Sequence, residues 1–137
     1  MNIRTLLAAA LLGAALISAP AQAGRDAPIQ NVVDAPVTWL PGVEPAEDKV
    51  ARAIVSACSR LGWVCQISSP GLITGRLNLR THQADVRIPY SVEKYSIEYV
   101  ASENLRYDAE KNTIHRNYNN WIQNLQRHIN GEIAAIL

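Results

Sequence analysis

The chain has 137 residues, with 13 basic and 12 acidic side chains and a formal net charge of +1. That length suits one domain, and a charge near zero argues against a dedicated nucleic-acid binder, which needs a basic footprint. The two cysteines are too few to make a good zinc site by themselves.

The first residues, MNIRTLLAAALLGAALISAPAQA, have the three parts of a secretory signal peptide. Arg4 is the positive start, Leu6 to Ile17 is the apolar stretch, and Ala21-Gln22-Ala23 is a small-x-small cleavage site. The apolar stretch is short for a membrane span, so export with cleavage after Ala23 is expected, without a stable transmembrane anchor. With Arg4 removed, 12 basic residues balance 12 acidic ones. Residues 24–45 carry Pro28, Pro36, Pro41 and Pro45 and read as an extended leader, from which IQNVV or PVTWL could add a short edge strand. The single folded domain is expected over 46–137.

The segment PAEDKVARAIVSACSRLG predicts a helix. Pro45 suits a first turn, Glu47 and Asp48 favour the positive helix start, and Gly62 suits its stop. Val50, Ile54, Ala57, Cys58 and Leu61 recur at helical spacing. Cys58 and Cys65 both fall in the exported part, where an even pair at short spacing reads as a disulfide; two buried free thiols are the alternative.

Beyond Gly62 the apolar period becomes two. Trp63, Cys65 and Ile67 share one strand face, and Pro70-Gly71 marks a turn. Ile73, Gly75, Leu77 and Leu79 share the next face, Ala84, Val86, Ile88 and Tyr90 the third, and Tyr95, Ile97 and Tyr99 the fourth. Hairpin pairing predicts Trp63 opposite Leu77, Gly75 opposite Cys65, Leu77 opposite Val86, and Ile88 opposite Ile97. Arg76, Asn78, Arg80, Asp85, Arg87, Ser96 and Glu98 make the other face polar. This register sets Arg76 beside Arg87 and Arg87 beside Glu98. Arg76, Arg80 and Arg87 then form a candidate anion strip, against the plainer reading of a solvated sheet face.

A short strand is possible at Leu105 to Tyr107. A last helix follows, capped near Asn112 or Thr113, with the apolar stripe Ile114, Tyr118, Trp121, Ile122, Leu125, Ile129 and Ile133. Together these elements predict an α+β, two-layer sandwich: an antiparallel four-stranded meander with two helices on one face. The last helix is unusual in carrying Asn117, Asn119, Asn120 and Asn124, since asparagine competes for backbone hydrogen bonds. Asn117, Asn124 and His128 flank one border of the stripe; His115, Asn119 and Gln126 flank the other. All five tyrosines lie between 90 and 118. Two readings follow for His115, Asn117, Tyr118, Asn119 and Trp121 with Tyr95, Tyr99 and Tyr107. They form a structural seam, where amides serve tyrosine hydroxyls and strand-edge backbone, or they form a polar-aromatic recognition groove.

Nothing in the pattern asks for catalysis, a cofactor or a metal. There is no H-E-x-x-H, G-x-S-x-G, P-loop or paired-carboxylate pattern, and His115 and His128 lie on opposite borders of one helix. The stretches RLGW, PGLITGRLNLRTHQADVRIPYS, YSIEYVASENLRY and IHRNYNNWIQNL resemble a family of small exported proteobacterial proteins of unknown function, many of them classed as lipoproteins. The resemblance spans about 46–133 and implies a cell-envelope location, with no established activity or catalytic residue. This chain has no lipobox cysteine, so a lipid anchor does not carry over. The expected function is a non-enzymatic, periplasmic interaction module whose partner is an envelope protein or a wall component. The alternative is a small-ligand-binding protein with a tyrosine-lined cavity between sheet and helices.

Overall fold

The computed structural model describes residues 24–136, so the signal-peptide reading of 1–23 lies outside the described residues. Among them the chain is α+β. It has strands β1 (Asp26–Pro28) and β2 (Val32–Pro36), helix α1 (Glu47–Arg60), strands β3 (Trp63–Ser69), β4 (Leu72–Leu79), β5 (His82–Pro89) and β6 (Lys94–Glu103), strand β7 (Thr113–His115) and helix α2 (Asn117–Ile136). The main sheet has five antiparallel strands in the order β2-β6-β5-β4-β3, and β1 pairs with β7 in a separate two-stranded sheet. Both helices pack on one face. Between the layers lie Val50, Ile54 and Ala57 of α1, Ile73, Val86, Ile88 and Ile97 of the sheet, and Ile122, Leu125 and Ile129 of α2, all buried. Burying each of the larger side chains stabilises the fold by about 1.5–3 kcal/mol.

The β3–β6 meander is the expected one, and it gains a fifth strand from the leader. β2 joins the free edge of β6, with Val32 opposite Ile97 and Ala35 opposite Tyr95. The pairing bulges at Asp34, whose φ of 51° is left-handed and whose N–H donates to Ser96 Oγ at 3.0 Å. Ser96, expected on the solvated face, is therefore buried beneath the bulge. Pro36 closes the strand, where a missing donor costs least. The leader is thus built into the domain rather than trailing from it. The Trp39 indole fastens its end by donating to the Val92 carbonyl at 2.6 Å.

α1 begins at Glu47, after Pro45, and ends where Gly62 takes a φ of 82°. That left-handed turn lets the chain reverse straight into β3. Trp63 faces Leu77 and Cys65 faces Gly75, as expected. The next hairpin differs by two residues. Leu79 faces His82, so Leu77 faces Ala84 and Val86 faces Gly75. The connection is a tight two-residue turn, Arg80-Thr81, made possible by a left-handed Arg80 with φ of 58°. The sequence expectation implied a longer loop there. A two-residue slip keeps the same side chains inward, which is why the apolar pattern alone did not expose it. In the last hairpin Arg87 faces Glu98, which brings Ile88 beside Ile97; a bulge at Val100 then shifts Asp85 opposite Ala101. Ile67 and Leu79, expected on the covered face, are exposed: Ile67 lies on the edge strand β3, and Leu79 ends β4.

The largest departure is at 105–115. Asn104 and Arg106 each have φ of 57°, and two left-handed residues so close together break the extended run, so there is no strand at Leu105–Tyr107. Thr113–His115, expected in the first helical turn, is instead β7, pairing Ala27 with Ile114. α2 starts at Asn117. The leader, far away in sequence, supplies the partner that turns a helix start into a strand.

Candidate functional site

The predicted seam divides into four places. Asn119 is buried, and both ends of its amide are engaged: Oδ1 accepts the Gln30 N–H at 3.1 Å and Nδ2 donates to the Pro28 carbonyl at 2.9 Å. This asparagine holds the end of β1 onto α2, as the structural reading expects. Asn117 does not share that role. Its side chain is exposed, and it is its backbone N–H that donates to His115 Nδ1, at 3.2 Å. His115 thus caps the start of α2 from β7. Asn120 is exposed, and Asn124 accepts only from Arg127 on the same helix, at 3.3 Å.

Tyr99, Tyr107 and Tyr118 form one aromatic cluster. Tyr99 lies 4.6 Å from Tyr107 and meets Tyr118 edge-on at 5.5 Å, centroid to centroid. The Tyr99 hydroxyl pairs with Ser102 Oγ at 2.8 Å. The Tyr118 hydroxyl is buried and has no hydrogen-bond partner among the described residues. Burial raises the pKa of Tyr118, with Tyr99 adding to the effect. Burial also raises that of Tyr99, partly opposed by the Ser102 hydrogen bond.

Tyr95 lies elsewhere, under the second half of α2. It donates to Asn130 Oδ1 at 2.6 Å, and burial pushes its pKa up to about 12. Asn130 was missed by the sequence pattern. It lies six residues beyond Asn124, and its partner is one of the tyrosines that the asparagine-rich stretch was expected to serve. Trp121 lies apart from the tyrosines, 6.4 Å from the His82 ring. It borders a cleft of about 110 Å³ with Leu61, Trp63, Leu77 and Asn124. These residues therefore do not line one groove or one cavity. Of these residues Tyr107 borders a larger recess, at the 106–111 loop (about 760 Å³), and another lies on the outer sheet face (about 570 Å³).

The arginine strip is also corrected. Arg76 faces Asp85 rather than Arg87, and its guanidinium grips that carboxylate through two hydrogen bonds at 2.7 and 3.0 Å. The hydrogen bond to Asp85 raises the Arg76 pKa, and the charge of Asp85 adds to it. Arg87 pairs with Glu98 at 3.7 Å, and Arg80 lies in the β4–β5 turn, off the sheet face. Two neutralised pairs do not make an anion site. What the outer face presents is a mosaic. Arg76 and Asp85 share its recess with Gln66, Thr74, Asn78 and two exposed valines, Val64 at 70% and Val100 at 53% exposure. The strand alternation contains the signal for Val64, since Trp63 and Cys65 point inward. The same alternation points Val100 outward, since Ile97 and Tyr99 point inward.

Cys58 and Cys65 lie at disulfide distance, with Cα atoms 6.0 Å apart, and tie α1 to β3. Among the described residues no group of three His, Cys, Asp or Glu side chains could hold a metal ion, and no helix is long and apolar enough to cross a membrane. Comparison of the chain with protein-family models, curated proteins and solved structures finds no match.

Proposed function

We propose that this protein is an exported, non-enzymatic interaction module of the cell envelope that binds a partner on the uncovered face of its sheet. One observation carries the reading. The helices cover one face of a five-stranded sheet, and the other keeps a recess of about 570 Å³ where exposed Val64 and Val100 flank the Arg76–Asp85 pair. Apolar patches interleaved with charge pairs that are already neutralised suit a protein surface, where desolvating an unpaired charge would be costly. The Cys58–Cys65 pair supports an oxidising compartment, and the signal-peptide pattern and the envelope-family resemblance agree with export.

A photo-crosslinking residue placed at Thr74 or at Val100 tests this in intact cells, with the exposed α2 position Gln123 as control. A discrete adduct from both sheet positions and none from Gln123 is expected, and Arg76→Ala should weaken it without lowering the melting temperature. Adducts of equal yield from Gln123, or none from the sheet, would overturn the proposal. A small-ligand reading retains one supporting observation, the buried and unpaired Tyr118 hydroxyl beside Tyr99 and Tyr107. It predicts that an apolar fluorophore binds the native protein and that Tyr118→Phe weakens the binding.

A further inference from the structure

The two edges of the main sheet are built differently. At one edge β2 carries a bulge at Asp34, a salt bridge from Asp34 to Lys94 at 3.5 Å and a terminal Pro36. These features obstruct the docking of a further strand. At the other edge lies β3, WVCQISS, with no charged residue and no proline. The whole stretch from Leu61 to Gly75 is uncharged. Its Ile67 is 55% exposed although it sits on the face that the helices cover elsewhere.

The ladder shows which backbone groups of β3 are open. The Tyr90 N–H donates to the Gly71 carbonyl at 2.9 Å, at the end of the register that pairs Leu79 with His82. Antiparallel bonds alternate, so the odd-numbered residues of β4 bond to β5 and the even-numbered ones, Thr74 and Arg76, bond to β3. Their partners are Gln66 and Val64. The N–H and C=O groups of Trp63, Cys65 and Ile67 therefore point out of the sheet.

From this we infer that β3 pairs antiparallel with β3 of a second copy, about a two-fold axis at Cys65, making one continuous sheet of ten strands. The three outward-bonding residues are spaced symmetrically about Cys65, so this register alone uses all of them. Trp63 meets Ile67 of the partner copy, Cys65 meets Cys65, and six backbone hydrogen bonds form. On the helix face the exposed Ile67 gains an aromatic neighbour in Trp63, a favourable cross-strand pair. On the outer face Val64 meets Gln66. A strand with no charge meets no like charge in its own copy, and it offers nothing by which a charged partner strand would be selected. The inference does not rest on an envelope partner at the outer face, which the dimer leaves open.

Sedimentation equilibrium of the mature, disulfide-bonded protein tests the association. A single strand edge is smaller than a standard interface, so a micromolar equilibrium is expected, dimeric at about 100 µM and monomeric below about 0.1 µM. Ile67→Lys should raise the dissociation constant at least about tenfold with an unchanged melt. Register is tested by mixing Val64→Cys protein with Gln66→Cys protein. These positions face each other across the axis as a closely spaced, non-hydrogen-bonded pair, so an intermolecular disulfide should form in the mixture and in neither protein alone. A wild-type monomer at about 100 µM, a dimer that Ile67→Lys leaves intact, or crosslinking within either single variant would overturn the inference.

Discussion

Gly75→Ala is the sharpest probe of how the disulfide sits in the core. A Cβ at Gly75 would stand 2.8 Å from Cys65 Sγ, 3.3 Å from Val86 Cγ2 and 3.7 Å from Trp63 Cε3. The sulfur cannot swing away, because it is tied to Cys58, which is buried in α1. Overpacking of this kind costs about 1–3 kcal/mol. Against it stands the gain from replacing a strand-interior glycine, about 0.5–1 kcal/mol. Net destabilisation of about 1–2 kcal/mol is therefore expected in urea melts of the oxidised protein. In a Cys58→Ala/Cys65→Ala background the sulfur is gone, and Gly75→Ala should become neutral or stabilise by up to about 1 kcal/mol. That background itself loses about 2.5 kcal/mol of loop-closure stabilisation, but the loss is common to both arms of the double-mutant cycle and cancels. An equal cost of Gly75→Ala with and without the disulfide would refute the reasoning, as would no cost in either.

Asn119→Ala should destabilise by about 1–3 kcal/mol, because it strands the Gln30 N–H and the Pro28 carbonyl. The exposed Asn120→Ala should be neutral or stabilise by a few tenths of a kcal/mol; thermal melts of the two variants compare them. Tyr118→Phe removes a buried hydroxyl that has no partner, so it should leave the melting temperature unchanged or raise it. The Tyr95 pKa is raised from 10.0 to about 12, so the folded state holds that proton more tightly than the unfolded state does. The associated stability is fully present below pH 10 and is lost as pH rises towards about 12. Denaturant melts across that range should show the fall, and Tyr95→Phe should reduce its slope.

Where local pattern and local partner coincide, the sequence carries enough information. The period-two faces from Trp63 to Tyr99 are such a case, since each strand's partner is its neighbour in the chain. The Gly75–Cys65 juxtaposition follows from the same pairing. The pattern underdetermines structure where two arrangements keep the same side chains inside. The β4–β5 hairpin is one, and it is decided by the left-handed Arg80 that permits a two-residue turn. Arg76 then lies opposite Asp85 instead of Arg87, which turns a supposed anion strip into a neutral pair.

The leader shows why long-range pairing is the least legible part. Nothing in IHRN announces a strand, and Ile114 fits the stripe of the following helix equally well. It becomes a strand because β1 arrives beside it, held by Asn119 gripping Pro28 and Gln30 and by the Arg116 N–H donating to the Arg25 carbonyl at 2.8 Å. The same leader then runs on as β2 and closes the β6 edge. Of the asparagines in this helix Asn119 serves chain entry, fixing the leader on its way to the sheet, while His115 of β7 caps the start of α2. With the leader added, the edge strands of the main sheet among the described residues are β2, obstructed by its bulge, the Asp34–Lys94 salt bridge and Pro36, and β3, beside the disulfide. Outward growth of the sheet is therefore favoured at β3 over β2, and that asymmetry favours a closed pair of copies over an open chain of them.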